Sequence, residues 1–109
     1  MKKPVPLSPP DIESALARLP HWTGDENGIT RSLRFTDFRG AMRFMQASIE
    51  DIEKMNHHPI WKNAYDQIEI QLVTWDAGHK VSALDIELAT YFEDLLRERG
   101  AEFGYLGSG

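Results

Sequence analysis

A chain of 109 residues, 41% hydrophobic and 27% charged, has the material for one compact domain and too little for two. Its formal net charge of −5 disfavours nonspecific nucleic-acid binding, which needs a basic surface against phosphate. The absence of cysteine excludes disulfides, thiolate metal sites and cysteine nucleophiles, and fits a reducing cytoplasm.

The first ten residues carry Lys2 and Lys3 but no apolar stretch behind them, unlike a signal peptide. No apolar run approaches the roughly 20 residues that span a membrane. Residues 1–7, rich in proline and lysine, read as a loose arm. Ser8-Pro9-Pro10-Asp11 is a helix start: a hydroxyl to cap, proline in the first turn and a carboxylate at the positive end of the dipole. Ile12, Ala15, Leu16 and Leu19 follow as one apolar stripe, and Pro20 stops the helix at about residue 18 or 19.

Residues 21–25 predict a short strand around Trp22, and Glu26-Asn27-Gly28 a hairpin turn. Residues 29–35 alternate, with Ile29, Arg31, Leu33 and Phe35 on one face, Arg31 being the polar exception. Thr36 or Asp37 can cap the next helix, whose apolar stripe is Phe38, Met42, Met45, Ile49, Ile52 and Met55; Phe44 falls off it, towards another subunit or a sheet edge. Pro59 closes this helix. Residues 60–65 and 67–75 predict a hairpin turning near Asp66, with Ile68, Ile70 and Leu72 on the inner face.

Residues 76–80 form a loop. Ser82 and Asp85 outline a capping box for a final helix over residues 83–99, with Leu84, Leu88, Tyr91, Phe92 and Leu95 as its stripe and Gly100 as its stop. The Gly-rich tail 101–109 frays, apart from any docking of Phe103 and Tyr105. The whole predicts a single two-layer α+β domain: an antiparallel four-stranded sheet with helices on one face, in the order α-β-β-α-β-β-α.

Proton chemistry centres on His57 and His58, since an imidazole titrates near neutral pH. Glu53, one helical turn before His57, shares its face if the helix persists, and can then orient the ring. The plainer reading is that His57 caps a helix C-terminus while His58 is exposed. Metal binding has little support, because adjacent histidines point apart and His79 joins them only through folding. Asp85 suits a pocket edge, and equally suits the first turn of any helix. Trp61, Tyr65 and Trp75 can stack on a flat ring, or simply pack.

Taken together these residues resemble the pterin-4a-carbinolamine dehydratase family. The pattern is Glu53, three residues, His57-His58-Pro59, five residues, Tyr65, nine residues, Trp75, then Asp85. Around it stand Lys54-Met55-Asn56-His57-His58-Pro59, Trp61-Lys62-Asn63, Leu72-Val73-Thr74 and Asp85-Ile86-Glu87-Leu88-Ala89. A weaker likeness takes in residues 8–19, Trp22 and residues 29–38, so that it covers residues 7–97 or thereabouts.

The resemblance implies the same α+β fold, assembly as dimers or paired dimers, and dehydration of 4a-hydroxytetrahydrobiopterin or a related pterin to the quinonoid dihydropterin. That reaction recycles the cofactor of aromatic amino acid hydroxylases and uses no metal or organic cofactor. In animals a member also serves as dimerisation cofactor of a homeodomain transcription factor. By resemblance His57 is an acid–base residue, His58 binds the pterin or assists, Glu53 orients the site, Asp85 lies nearby, and Trp61, Tyr65 and Trp75 wall the pocket.

One departure stands out: the family commonly has a third catalytic histidine at the position of Trp75. An indole N–H donates a hydrogen bond without giving up its proton. His79, four residues on, is a candidate substitute. The alternative implied by Trp75 is a weak or inactive member acting as a pterin-binding or protein-interaction module.

Overall fold

The computed structural model describes residues 3–108; the expectations for Met1, Lys2 and Gly109 lie outside the described residues. Helix α1 (Pro9–Ala17) begins as its sequence dictates, with the Ser8 hydroxyl accepting the Asp11 N–H at 3.3 Å and proline in the first turn. It turns Ile12 and Ala15 inward, and Leu19 and Trp22 enter the same core. Strand β1 (Thr23–Asp25) is shorter than expected, because the turn after Pro20 runs on to Trp22, whose N–H reaches the Leu19 carbonyl at 2.9 Å. A two-residue turn, held by the Asp25 carboxylate on the Asn27 N–H at 2.8 Å, leads into β2 (Gly28–Phe35).

Helix α2 (Phe38–Met55) is capped by Asp37, and the hairpin β3 (Ile60–Ala64) and β4 (Gln67–Leu72) follows. A single 3-10 turn (Trp75–Ala77) leads to α3 (Ala83–Phe103), then β5 (Tyr105–Gly107). The sheet is antiparallel in the order β1-β2-β4-β3. Its register sets Ile29 opposite Leu72, Arg31 opposite Ile70 and Leu33 opposite Ile68, all buried on the helix side. Ser32, Arg34, Glu69 and Lys62 stand on the exposed face. Phe44 of α2 joins the layers, its ring 5.5 Å from Phe35 and 5.6 Å from Phe92, which in turn meets Trp61 at 6.3 Å.

The expected α+β order is therefore present, and beyond the shorter β1 three further differences bear on the packing. The buried face of α2 is Gly40, Ala41, Phe44, Ser48 and Ile52, whereas Phe38 and Ile49 are nearly half exposed. The helix is turned so that Phe44, expected towards another subunit or a sheet edge, fills the core instead, flanked by small side chains that let the helix approach its neighbour. A methyl group on Gly40 would collide with the Phe103 carbonyl, and the Ser48 hydroxyl is satisfied by the Met45 carbonyl at 2.8 Å.

Second, α3 does not stop at Gly100. It continues to Phe103 and ends on Gly104 in the left-handed conformation (φ 67°). Gly100 is needed for space instead: a Cβ there would lie 3.2 Å from the Tyr105 ring. Third, neither terminus is loose throughout. The Leu7 N–H binds the Val81 carbonyl at 2.9 Å, and Pro6 bridges to Ser82. Tyr105 to Gly107 form a fifth strand on β2, absent from the expected four.

That last strand closes a polar cluster inside the core. Arg31 is 3% exposed. Its Nε donates to Glu93 at 2.9 Å, its Nη1 to the Ser108 hydroxyl at 2.8 Å, and its Nη2 to the Tyr105 hydroxyl at 2.5 Å. The Trp22 indole N–H completes Glu93 at 3.0 Å.

A second polar link, the Tyr91 hydroxyl donating to Asp51 at 2.7 Å, joins α3 to α2. Burial first, then the Asp51 hydrogen bond and charge, push the Tyr91 phenol above its ordinary range. The folded chain thus keeps a proton that the unfolded chain releases near pH 10, so this contribution is complete below about pH 10 and is lost as pH rises further. Tyr91→Phe is expected to cost about 1 kcal/mol at neutral pH. The variant should also show a shallower loss of stability above about pH 10, measured by urea unfolding across that range.

Candidate functional site

Topology gathers the candidate residues at one end of the sheet. Helix α2 ends at Asn56, which takes the left-handed conformation (φ 50°) and returns its N–H to the Glu53 carbonyl at 3.1 Å. Asparagine tolerates that conformation better than most residues. The chain then leaves the helix axis, and His57, His58 and Pro59 lead into β3. Because β4 runs antiparallel to β3, with Gln71 opposite Ile60, its far end returns Thr74 and Trp75 to the level of the histidines. The N-terminus of α3 brings Ser82 and Asp85 to the same place.

His57 and Asp85 meet in the interior. The His57 Nε2 lies 2.6 Å from Asp85 Oδ1, with the side chains 10% and 0% exposed. The capping box expected at Ser82 is present, and Asp85 Oδ2 accepts the Ser82 N–H at 2.9 Å as its partner. Asp85 is fully buried and so stands behind a pocket wall rather than at its edge: one oxygen caps the helix while the other holds the histidine. Asp85 also sits in the first turn of α3, where the dipole favours a carboxylate.

Glu53 is not the partner of His57. It lies 3.2 Å from His58 Nε2, both side chains being more than half exposed. The expected pairing required a helix continuing through His57; the left-handed Asn56 ends it one residue earlier and rotates His57 inward. His58, Glu53, Pro59 and Trp61, with Ile49 and Ile52, line a cleft of about 200 Å³. Trp61 is half buried there against Phe92.

Trp75 is 70% exposed, and the His79 ring stands edge-on to it at 4.3 Å. His79 is held in the left-handed region (φ 60°), so the loop turns it back towards Trp75. Tyr65 does not join the group. It lies at the β3–β4 turn (φ 54°), 69% exposed, at the opposite end of β3 and roughly 15 Å along the strand from Ile60. The larger cavity on this side, about 840 Å³, is bounded by the Pro4–Leu7 arm and by Met55, Asn56, Asp76, Ser82, Ala83 and Leu84. These are the immediate chain neighbours of His57, Trp75 and Asp85. Among the described residues no three His, Asp or Glu side chains converge as metal ligands, and no helix is long and apolar enough to cross a membrane.

Thr74 is a site residue that spacing does not single out. It is 3% exposed and donates to Asp85 Oδ2 at 2.7 Å. A signal for it exists all the same: Thr74 continues the inward parity of Ile68, Ile70 and Leu72, so it is a polar residue where the pattern calls for an apolar one.

The family model described as pterin 4 alpha carbinolamine dehydratase matches residues 5–95. The chain belongs to this family. It is 41% identical over 92 residues to a protein of Opitutus terrae named "Putative pterin-4-alpha-carbinolamine dehydratase", covering 84% of this chain and 95% of that one. A Burkholderia ambifaria protein of the same name is 40% identical over 89 residues, covering 80% and 86%. The crystal structure of a "transcriptional coactivator/pterin dehydratase" from Brucella melitensis superposes with a TM-score of 0.76 at 34% identity, covering 82% of this chain and 96% of that one. The residues from Glu53 to Asp85 that make up the site fall inside the matched span, whereas Tyr105 and Ser108, which close the Arg31 cluster, lie beyond it.

Proposed function

We propose that this chain dehydrates a 4a-hydroxytetrahydropterin, 4a-hydroxytetrahydrobiopterin or a close relative, to the quinonoid dihydropterin, so recycling the cofactor of aromatic amino acid hydroxylases. The observation that carries this reading is the His57–Asp85 pair, 2.6 Å apart in a chain of the dehydratase family, with the adjacent Asn56 and Leu84 lining a cavity. Loss of water breaks the C4a–O bond and removes a proton from the ring nitrogen. The hydroxyl leaves as water once it has gained a proton. A histidine with one ring nitrogen committed to Asp85 has the other free to take the ring proton. His58, steadied by Glu53, and His79, edge-on to Trp75, are the groups proposed to deliver a proton to the leaving oxygen. Trp61 and Trp75 supply aromatic surface for the pterin ring. Tyr65 is too remote from the pair for direct contact with the same ring.

A cytoplasmic homodimer or homotetramer completes the reading. The half-exposed Phe38 and Ile49 of α2 support assembly, because large apolar side chains on a helix face favour burial against a second copy.

The second reading is a pterin-binding or protein-interaction module. It is favoured by Trp75, exposed and unable to give up a proton. A spectrophotometric dehydration assay between about pH 6 and pH 9, spanning the imidazole titration, separates the two. Wild type is expected to exceed the spontaneous rate. Trp75→His should raise kcat by on the order of tenfold or more, and His79→Ala should lower it in the wild-type background. A wild-type rate equal to the spontaneous one throughout would leave only the module reading.

A further inference from the structure

We infer that Thr74 is a positioning residue that fixes the tautomer in which the His57 ring, held on Asp85 through Nε2, meets the substrate. This rests on His57 being the acid–base group proposed above. The argument is a count of protons. The Thr74 hydroxyl has one hydrogen and two oxygen neighbours, Asp85 Oδ2 at 2.7 Å and Ser82 Oγ at 2.7 Å. An ionised carboxylate only accepts, so Thr74 gives its hydrogen to Asp85. Ser82 must then give its own hydrogen to Thr74, while Ser82 Oγ accepts the Leu84 N–H at 3.2 Å. The Ser82 N–H also ends on Asp85 Oδ2, at 2.9 Å.

Every proton in this buried group therefore runs towards Asp85. Thr74, Ser82 and Asp85 are 3%, 1% and 0% exposed, and among the described residues no buried side-chain polar atom lacks a partner. With both of these donors on Oδ2, the remaining oxygen of the ionised carboxylate, Oδ1, can only accept. The hydrogen of the 2.6 Å contact thus belongs to His57 Nε2, and in the neutral ring Nδ1 carries the lone pair.

The Thr74 hydroxyl is surplus to helix capping. A capping box needs only the Ser82 and Asp85 side chains and their own backbone N–H groups. Thr74 comes from a different element, just past β4, and its hydroxyl links the sheet to the carboxylate. Its role is read in the orientation and tautomer of His57, much as a buried aspartate elsewhere holds a catalytic imidazole in one tautomer.

The test is nitrogen-15 NMR of the histidine rings, with His57 assigned by comparison with His57→Ala, on wild type, Thr74→Val and Thr74→Ser. Wild-type His57 is expected as the Nε2–H tautomer. Thr74→Val should mix the tautomers and lower kcat about tenfold while KM stays within about twofold; Thr74→Ser should restore both. A wild-type His57 carrying its hydrogen on Nδ1 overturns the proposal, as does a folded Thr74→Val protein with the wild-type tautomer. If valine prevents folding, Ser82→Ala, which removes the donor behind Thr74, is measured the same way, and an unmoved tautomer ratio there counts against the proposal. A wild type with no dehydration above background sinks the dehydratase reading alone, because the ring spectra still report on Thr74.

Discussion

Replacement of His57 by alanine is expected to lower kcat for pterin dehydration by on the order of 10²–10⁴, the range for losing a positioned acid–base group. The expectation comes from geometry. His57 is held at 2.6 Å by a fully buried carboxylate and is itself only 10% exposed, so its ring has one orientation to offer. Alanine leaves Asp85 Oδ1 without its donor, yet Oδ2 keeps both of its own, from Thr74 and Ser82. The stability cost should then stay at about 1–3 kcal/mol and the variant should fold. Added imidazole should return part of the lost rate, a response a purely structural role would not produce. The counterpart is His58→Ala. His58 and Glu53 form an exposed pair, which adds little to stability, so loss of His58 should lower kcat with little effect on folding. A His57→Ala enzyme within about threefold of wild type would remove His57 from the chemistry.

The largest effect on stability is expected from Glu93→Ala, about 3–5 kcal/mol by chemical unfolding. A domain of this size has on the order of 5–15 kcal/mol in all, so the variant should be close to the edge of folding at 37 °C. The reason is the charge left behind. Arg31 sits on the inner face of β2 between Ile29 and Leu33, and Glu93 is its ionic partner there. Removing Glu93 also strips the Trp22 indole N–H of its acceptor. Replacing both partners together, Arg31→Met with Glu93→Gln, should recover much of the loss, because an apolar side chain of similar length suits that face and no unbalanced charge remains. A loss of under about 1 kcal/mol in Glu93→Ala would mean that the tyrosine and serine hydroxyls alone can hold the guanidinium.

Arg31 was also legible from the residues alone. Alternation over residues 29–35 places it on the apolar face, and the fold buries it there. The Ser82–Asp85 capping box can be read because it is local, three residues apart. The phase of α2 cannot, since Phe38 and Ile49 define a longer apolar stripe than Phe44, whose flanking glycine, alanine and serine are selected by close packing. The partner of His57 is hidden for a related reason. Sequence spacing proposes neighbours within a helix, and a single left-handed asparagine cancels that neighbourhood and substitutes a contact 28 residues away. Thr74 shows in the sequence as a parity violation at the end of the Leu72-Val73-Thr74 stretch. The fifth strand is hidden because Tyr105 to Gly107 carry no alternation, and their partner on β2 is set by where α3 happens to end.

The Arg31 cluster also bears on how the chain folds as it is made. Arg31 is synthesised 62 residues before Glu93, 74 before Tyr105 and 77 before Ser108. While a chain is still growing, the first hairpin can form, but its arginine has nowhere dry to go. Residues 28–35 will therefore stay hydrated at the ribosome until the last helix and strand have emerged. Folding of this domain should be a single late event after most of the chain is free, and ribosome-bound chains that end before residue 93 should remain open to protease.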